Sequence, residues 1–278
     1  MNRSAANAIV GHLPYLRRYA RALTGSQAAG DAYVRSCLEA LLAGELGPMD
    51  PSMSRADLFK RFHAMLDRLR IPATAEEQDV AGDENEDPIH RTVEQRIRSM
   101  SERDREVLLL AHTEGFSTTD VAWILDTSQE EVAEHIRRAW AALEHQPPAR
   151  ILIIEDEPII ALNIATIVGE MNHAVVGVAS NSARALQLAA RERPDLVLCD
   201  VQLDDGATGV AAAAKILEAH SVPVVFVTAY PENLLTGERI EPAFLVTKPF
   251  EPEVLQIAIA QALFCGAAAN VVKTPKVA

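Results

Sequence analysis

Residues 150–156 read RILIIED, residues 194–200 PDLVLCD, residues 222–230 VPVVFVTAY and residues 243–250 AFLVTKPF. Each is a short apolar run that stops on polar residues. Continuous apolar runs of this length mark strands buried on both faces, as in a parallel sheet. HAVVGVAS at 173–180 adds another strand. Helical stretches lie between them: EPIIALNIATIVGEM (157–171), NSARALQLAARER (181–193), TGVAAAAKILEAH (208–220) and, last, EPEVLQIAIAQALF (251–264). A short, poorly defined helical stretch follows the fourth strand. This alternation predicts a doubly wound α/β domain over 150–265, its parallel sheet covered on both faces. Ligands of such sheets bind at the carboxyl ends of the strands.

The polar residues sit at those ends. Glu155 and Asp156 close the first strand, Asp200 the third, Thr228 the fourth and Lys248 the fifth. All are placed to converge on one pocket. Three carboxylates so close repel one another unless a cation neutralises them. Oxygen donors with open positions suit Mg²⁺. One carboxylate can then act as nucleophile and form an acyl phosphate. Lys248 can pair with the phosphoryl oxygens and Thr228 can donate a hydrogen bond to them. Any one of these acids alone could simply cap a helix. The ordered set along successive strand ends argues for a site instead. A cis bond at Pro249, within Lys248-Pro249-Phe250, would aim Lys248 inward.

On Glu155, Asp156, Asp200, Thr228 and Lys248-Pro249-Phe250, residues 150–265 resemble two-component receiver domains, which are flavodoxin-like. The resemblance implies that Asp200 is the phosphoacceptor and that a sensor histidine kinase is the donor. It implies that Asp156 and Asp200 bind Mg²⁺ directly with the backbone carbonyl of Gln202, while Glu155 helps through water. Thr228 and Lys248 become the phosphoryl-stabilising switch residues. One position departs: Leu245 stands where many receivers carry a switching Tyr or Phe. Pro223-Val-Val-Phe226-Val-Thr228-Ala-Tyr230 is similar instead to an atypical subgroup with a Pro-Phe-x-Phe-Ala-Thr-Gly-Tyr fourth strand, whose response to phosphorylation is unconventional.

The rest of the chain divides at two breaks. Residues 71–90, IPATAEEQDVAGDENEDPIH, hold seven acids and no Lys or Arg, and read as an acidic linker. EHQPPA at 144–149 ends a helix, because Pro147 and Pro148 cannot continue it. The expected pieces are 1–70, 91–145 and 150–265, with a frayed tail at 266–278. The net charge of −13 over 278 residues argues against a general binder of nucleic acid or anionic membrane. No secretory signal or membrane-spanning run is evident, and three scattered cysteines suit the reducing cytoplasm.

Residues 91–145 predict a helix-turn-helix. Ser101 with Asp104 opens one helix, and Ser117-Thr-Thr-Asp120 is a capping start before Val121-Ala-Trp-Ile-Leu. Leu125-Asp126-Thr127 forms the turn, and Ser128-Gln-Glu-Glu131 opens the next helix. The pattern is similar to region four of extracytoplasmic-function sigma factors, which reads the promoter's −35 element. HLPYLRRYARALTGS at 12–26, with a degenerate Gly30-Asp31-Ala-Tyr-Val-Arg, makes 1–70 resemble region two of the same family. A reading helix needs Lys or Arg against phosphates and bases. Here Glu130, Glu131 and Glu134 stand at what would be DNA-contact positions, and Arg137 and Arg138 come late. Residues 1–149 carry 24 acids against 17 lysines and arginines, a balance to which the linker contributes.

The architecture is therefore multidomain: an all-α sigma-like region followed by the receiver. This order of parts resembles the PhyR family of alphaproteobacterial general-stress regulators. The resemblance implies a sigma decoy that binds an anti-sigma factor, NepR, once the receiver is phosphorylated. No enzyme activity, no specific DNA binding and no membrane partner are expected. The alternative is a DNA-binding transcriptional response regulator using its helix-turn-helix on a promoter.

Overall fold

The structure, a computed structural model, describes residues 9–48, 52–69, 100–144, 146–203, 209–220, 222–229 and 243–272. The acidic linker at 71–90, the stretch after the fourth strand at 230–242 and the last tail residues, 273–278, lie outside the described residues.

The N-terminal part is helical. Helix α1 (Leu13–Thr24) has proline in its first turn and stops at Gly25. There φ is 65°, and the Gly25 N–H donates to the Arg21 carbonyl at 2.7 Å. Helix α2 (Gln27–Leu42) starts on Ser26, whose hydroxyl accepts from the Ala29 N–H. Arg21 is fully buried and forks onto Asp31 of α2 at 2.9 and 2.7 Å, and Arg17 joins it. Burial alone would raise the Asp31 carboxyl, but these arginine bonds hold it below its ordinary range. Helix α3 (Arg55–Leu69) completes this group.

Helix α4 (Glu102–Leu108) is capped by Ser101 and runs into a single π-helical turn at Leu109–Thr113. Helix α5 (Thr118–Leu125) opens on the expected capping box of Ser117 and Asp120 and closes at Asp126, in the left-handed region at φ 52°. Helix α6 (Gln129–Glu144) follows after Thr127 and Ser128, which gives the expected helix-turn-helix. The π turn was not foreseen; nothing in Leu109–Thr113 distinguishes it from an ordinary helical end.

The two sigma-like pieces, separate in sequence, share one core. Tyr19 of α1 packs on Phe59 of α3, and Phe59 packs on Phe116, just before α5, with ring centroids at 5.2 and 5.1 Å. The Tyr19 hydroxyl lies 2.8 Å from His63 Nε2. Glu114 is fully buried between the pieces and accepts two bonds from Arg18, at 3.1 and 2.9 Å. Arg55 lies 4.2 Å over the Phe116 ring and donates to the Glu114 carbonyl. Burial pushes the Glu114 carboxyl up, and the arginines pull it only part of the way back.

The C-terminal part has the predicted layers. Strands β1 (Arg150–Ile154), β2 (Ala174–Ala179), β3 (Leu196–Asp200), β4 (Val224–Thr228) and β5 (Phe244–Thr247) form one parallel sheet in the order β2-β1-β3-β4-β5. Between them run α7 (Pro158–Glu170), α8 (Ser182–Glu192) and α9 (Gly209–Ala219), and α10 (Pro252–Val272) ends the fold. Strand alternation sorts the core into two faces. Ile151, Ile153, Leu196, Leu198, Val225, Val227, Phe244 and Val246 meet α7 and α10. Leu152, Ile154, Val197, Cys199, Val224, Phe226 and Leu245 meet α8 and α9. The first of these faces is continuous with the core of the helical region, because α10 also packs on α1 and on the π turn. Helix α10 runs past residue 265, the expected end of the receiver, to Val272 within the expected tail. The added stretch, Gly266–Val272, is rich in alanine and has no proline to stop a helix.

Arg18→Met should test how the sigma-like pieces are joined. It leaves the Glu114 carboxyl buried, with Arg55 Nη1 4.0 Å away. The variant should lose about 3 kcal/mol in denaturant unfolding of the full chain. A loss below about 0.5 kcal/mol, the ordinary range for a surface change, would show that the pair does not join them.

Candidate functional site

The carboxyl ends of β1, β3 and β5 meet at one edge of the sheet. Carboxylate oxygens of Glu155, Asp156 and Asp200 all lie within 4.8 Å of one another. Lys248 spans the group: its Nζ donates to Glu155 Oε2 and to Asp200 Oδ2, each at 2.7 Å. Backbone amides hold the remaining oxygens. The Glu157 N–H donates to Glu155 Oε1 at 3.3 Å, and the Gln202 N–H to Asp200 Oδ1 at 3.2 Å. Glu155 and Asp200 are buried, while Asp156 is half-buried on the open side.

Charge is poised accordingly. Burial drives the Glu155 carboxyl up; Lys248 pulls it down, Asp200 pushes it up again, and the net shift is upward. Burial alone would lower the Lys248 ammonium, but its two carboxylate bonds raise it overall, so it stays charged.

Thr228 is fully buried at the end of β4, and its carbonyl accepts from the Lys248 N–H at 2.8 Å, which ties β5 to β4 at the pocket. The Lys248–Pro249 peptide bond is cis. Sequence reasoning missed Gly209. A Cβ there would lie 1.7 Å from the Asp200 carbonyl oxygen, so α9 starts directly against the Asp200 backbone. The Thr208–Gly209 pair opening a helix after an aspartate loop was the available signal.

The acids of the helix-turn-helix lie elsewhere and serve other ends. Glu131 turns back to cap its own helix, accepting from the Thr127 hydroxyl and from the Ser128 N–H. Glu134 holds Arg137 in a fork at 3.0 and 2.5 Å. Glu130 is exposed. Asp104, read in the sequence as a capping residue only, also binds α6. Arg138 donates to its Oδ1 at 3.1 Å, and His135 Nδ1 lies 2.6 Å away. Burial works against the Asp104 carboxylate, but the Ser101, His135 and Arg138 bonds lower it overall. His135, Arg137 and Arg138 of α6 are thus each engaged by an acid of the same chain.

Comparison with known proteins gives a consistent result. The profile "Sigma2 domain of PhyR" matches residues 9–63, "Response regulator PhyR, sigma-like domain" matches 97–146, and "Response regulator receiver domain" matches 151–260. The chain is 43% identical to the phyllosphere-induced regulator PhyR of Methylorubrum extorquens over 263 residues, which is 94% of this chain and 95% of that protein. It is similar to the crystal structure of the response regulator PhyR from Brucella abortus, with TM-score 0.79, 39% identity and 96% and 97% of the two chains covered. It is also similar to the anti-anti-sigma factor PhyR from Bartonella quintana, with TM-score 0.81, 35% identity and 97% and 100% covered. No helix among the described residues is long and apolar enough to cross a membrane.

Gly209→Ala should probe the fit of α9 against Asp200. The added methyl has backbone in its way, so the full chain should lose about 1–3 kcal/mol in thermal unfolding. Unchanged stability would mean that α9 can slide away from Asp200 without cost.

Proposed function

The chain belongs to the PhyR family of response regulators, and from that premise we propose that it is a phosphorylation-activated anti-anti-sigma factor. Its sigma-like region, assembled from a region-two-like piece (1–70) and a region-four-like piece (91–145) across the acidic linker (71–90), mimics a sigma factor and sequesters an anti-sigma factor of the NepR type. The receiver (150–265, with the tail 266–278) controls access to it. The Bartonella quintana relative bears the name of this activity. The observation that carries the reading is the pairing of α6: its cations are spent on Glu134 and Asp104, so it offers DNA phosphates no unengaged positive side chain. Its role is recognition of protein, in the cytoplasm, where the kinase and the transcription machinery are.

Phosphorylation is the input. Asp200 takes the phosphoryl group from a histidine of the sensor kinase: a carboxylate oxygen attacks phosphorus, the P–N bond to the donor breaks, and an acyl phosphate remains. Mg²⁺ fits the donor set; Asp156, Asp200 and the Gln202 carbonyl would hold it, with Glu155 acting through water, and its charge would offset the anionic donor. Lys248 already rests between Glu155 and Asp200, so its ammonium can pass to the phosphoryl oxygens while remaining inside the pocket. Thr228 supplies a hydroxyl from the neighbouring strand end. The output is a population shift from a closed form to an open one that binds the anti-sigma factor.

Two measurements test this. Asp200→Ala should acquire no hydroxylamine-sensitive label from the cognate kinase, whereas wild type should label in Mg²⁺ and fail to label in excess chelator. The full chain should bind the anti-sigma factor about 5- to 150-fold more tightly once phosphorylated, the range of ordinary allosteric coupling. Residues 1–145 alone should bind it without phosphorylation. Tight, sequence-specific promoter binding by residues 1–145, with no anti-sigma binding, would overturn the decoy reading in favour of a DNA-binding regulator.

A further inference from the structure

The contact between α10 and the helical region is mostly apolar, with polar exceptions. Gln261 of α10 is 1% exposed. Its Nε2 faces Met100 Sδ at 3.8 Å, a weak acceptor, and its Oε1 has no protein partner among the described residues. Turning the amide over would set its carbonyl against the thioether and improve nothing. Arg105 of α4 lies on the same contact. Its guanidinium stacks 4.3 Å from the centre of the Phe264 ring and reaches Cys265 Sγ at 4.0 Å, while its buried Nε also has no protein partner there. Beside them the backbones approach closely at Gly25. A Cβ on Gly25 would stand 2.3 Å from Cys265 Cβ and 2.7 Å from Cys265 Sγ.

These polar groups cost free energy in one state only. In the contact, the Gln261 Oε1 and the Arg105 Nε are buried with no hydrogen-bond partner among the described residues; in an opened molecule both meet water. An unmade hydrogen bond in a buried site is worth about 5- to 150-fold in an equilibrium. A group that differs in this way between two states shifts the balance between them by that factor. Apolar burial along α10 pulls the other way. The rest of the buried surface of α10 is Leu, Ile and Ala, so an apolar side chain at 261 would continue the pattern and hold the domains together more firmly.

We propose that Gln261, seconded by Arg105, is an opening bias built into the receiver–helical contact: it keeps the closed form only moderately favoured, within reach of a single phosphorylation. This deepens the reading of the chain as a closed decoy opened by phosphorylation and rests on it. The bias lies in the contact, apart from the phosphorylation pocket.

The test uses the full, unphosphorylated chain and two variants with opposite expected effects. Gln261→Met keeps the length of the side chain and removes its unsatisfied amide. Amide hydrogen exchange in α4 and α10, read by mass spectrometry with no partner present, should slow about tenfold, equivalent to ~1.4 kcal/mol. Affinity for the anti-sigma protein should fall by a similar factor. Cys265→Leu crowds Gly25 from the α10 side; exchange in the same helices should quicken and anti-sigma binding should tighten, each about tenfold. If Gln261→Met exchanges as fast as wild type or faster, the bias does not exist. If Gln261→Met fails to fold, Gln261→Leu, which also removes the amide, decides: exchange as fast as wild type or faster overturns the proposal. Exchange that moves as expected while no form of the chain binds the anti-sigma protein would leave the bias standing and overturn the decoy reading.

Discussion

Helix α10 has no face to give to water along its buried length. Leu255, Ile257, Ile259, Ala260, Ala262 and Leu263 are all buried, and with the buried Gln261 they occupy most of the helix circumference. A helix buried over most of its circumference must be enclosed on more than one side. One side of α10 closes the sheet over Val225, Val227, Phe244 and Val246. The other side needs a second cover, and α1 with the π turn of the helical region provides it. The joining of the two halves is therefore a consequence of receiver composition. At about 25 cal/mol for each Å² of apolar surface, uncovering even a small part of that side is expensive. Opening must be compensated by something, whether a partner's surface or a relieved penalty.

The same helix lies a few residues from the chemistry. Lys248 directly follows β5, the cis bond to Pro249 comes next, and α10 begins at Pro252. The lysine that bridges Glu155 and Asp200 is thus joined to the interdomain helix through a very short run of chain. Its backbone N–H donates to the Thr228 carbonyl, which ties this point of the chain to the end of β4. Many receivers relay the change through an aromatic side chain at the position of Leu245. Here Leu245 is buried on the opposite face of the sheet, against the core shared with α8 and α9. It has no polar end to reach the pocket, and its face is not the one that meets the helical region. The shortest covalent connection from the pocket to α10 runs from Lys248 through Pro249 to Pro252.

The sheet and its acidic pocket were legible because strand periodicity and strand-end chemistry are local. RILIIED carries both its burial and its carboxylates in seven letters. The helix-turn-helix was legible for the same reason, since Ser117 with Asp120 and Ser128 with Glu131 cap their helices within one turn. What sequence reasoning did not reach is non-local. Glu114 looks like a surface acid until Arg18, 96 residues away in the chain, closes over it. Gly209 looks like a helix opener until the Asp200 carbonyl is set against it. AIAQALF reads in the sequence only as part of the last helix, because the second surface that covers it comes from residues far away in the chain.

Glu131 and Glu134 illustrate how a feature read from sequence can keep its sign and change its cause. In the sequence they are acids facing a polyanion. In the structure Glu131 spends its carboxylate on the N-terminus of its own helix, where a negative charge meets the unpaired amides and the helix dipole. Glu134 spends its own on Arg137, and Asp104 takes Arg138 and His135. Exposed pairs such as Glu134–Arg137 contribute little to stability, about 0–1 kcal/mol. Their effect on recognition is larger in kind, because each removes a donor that a phosphate would need. Withdrawal of the cations acts beside repulsion by the acids, of which Glu130 stands exposed. A helix so neutralised can keep the shape of a sigma factor, which a protein partner recognises, while lacking the charge by which DNA is held.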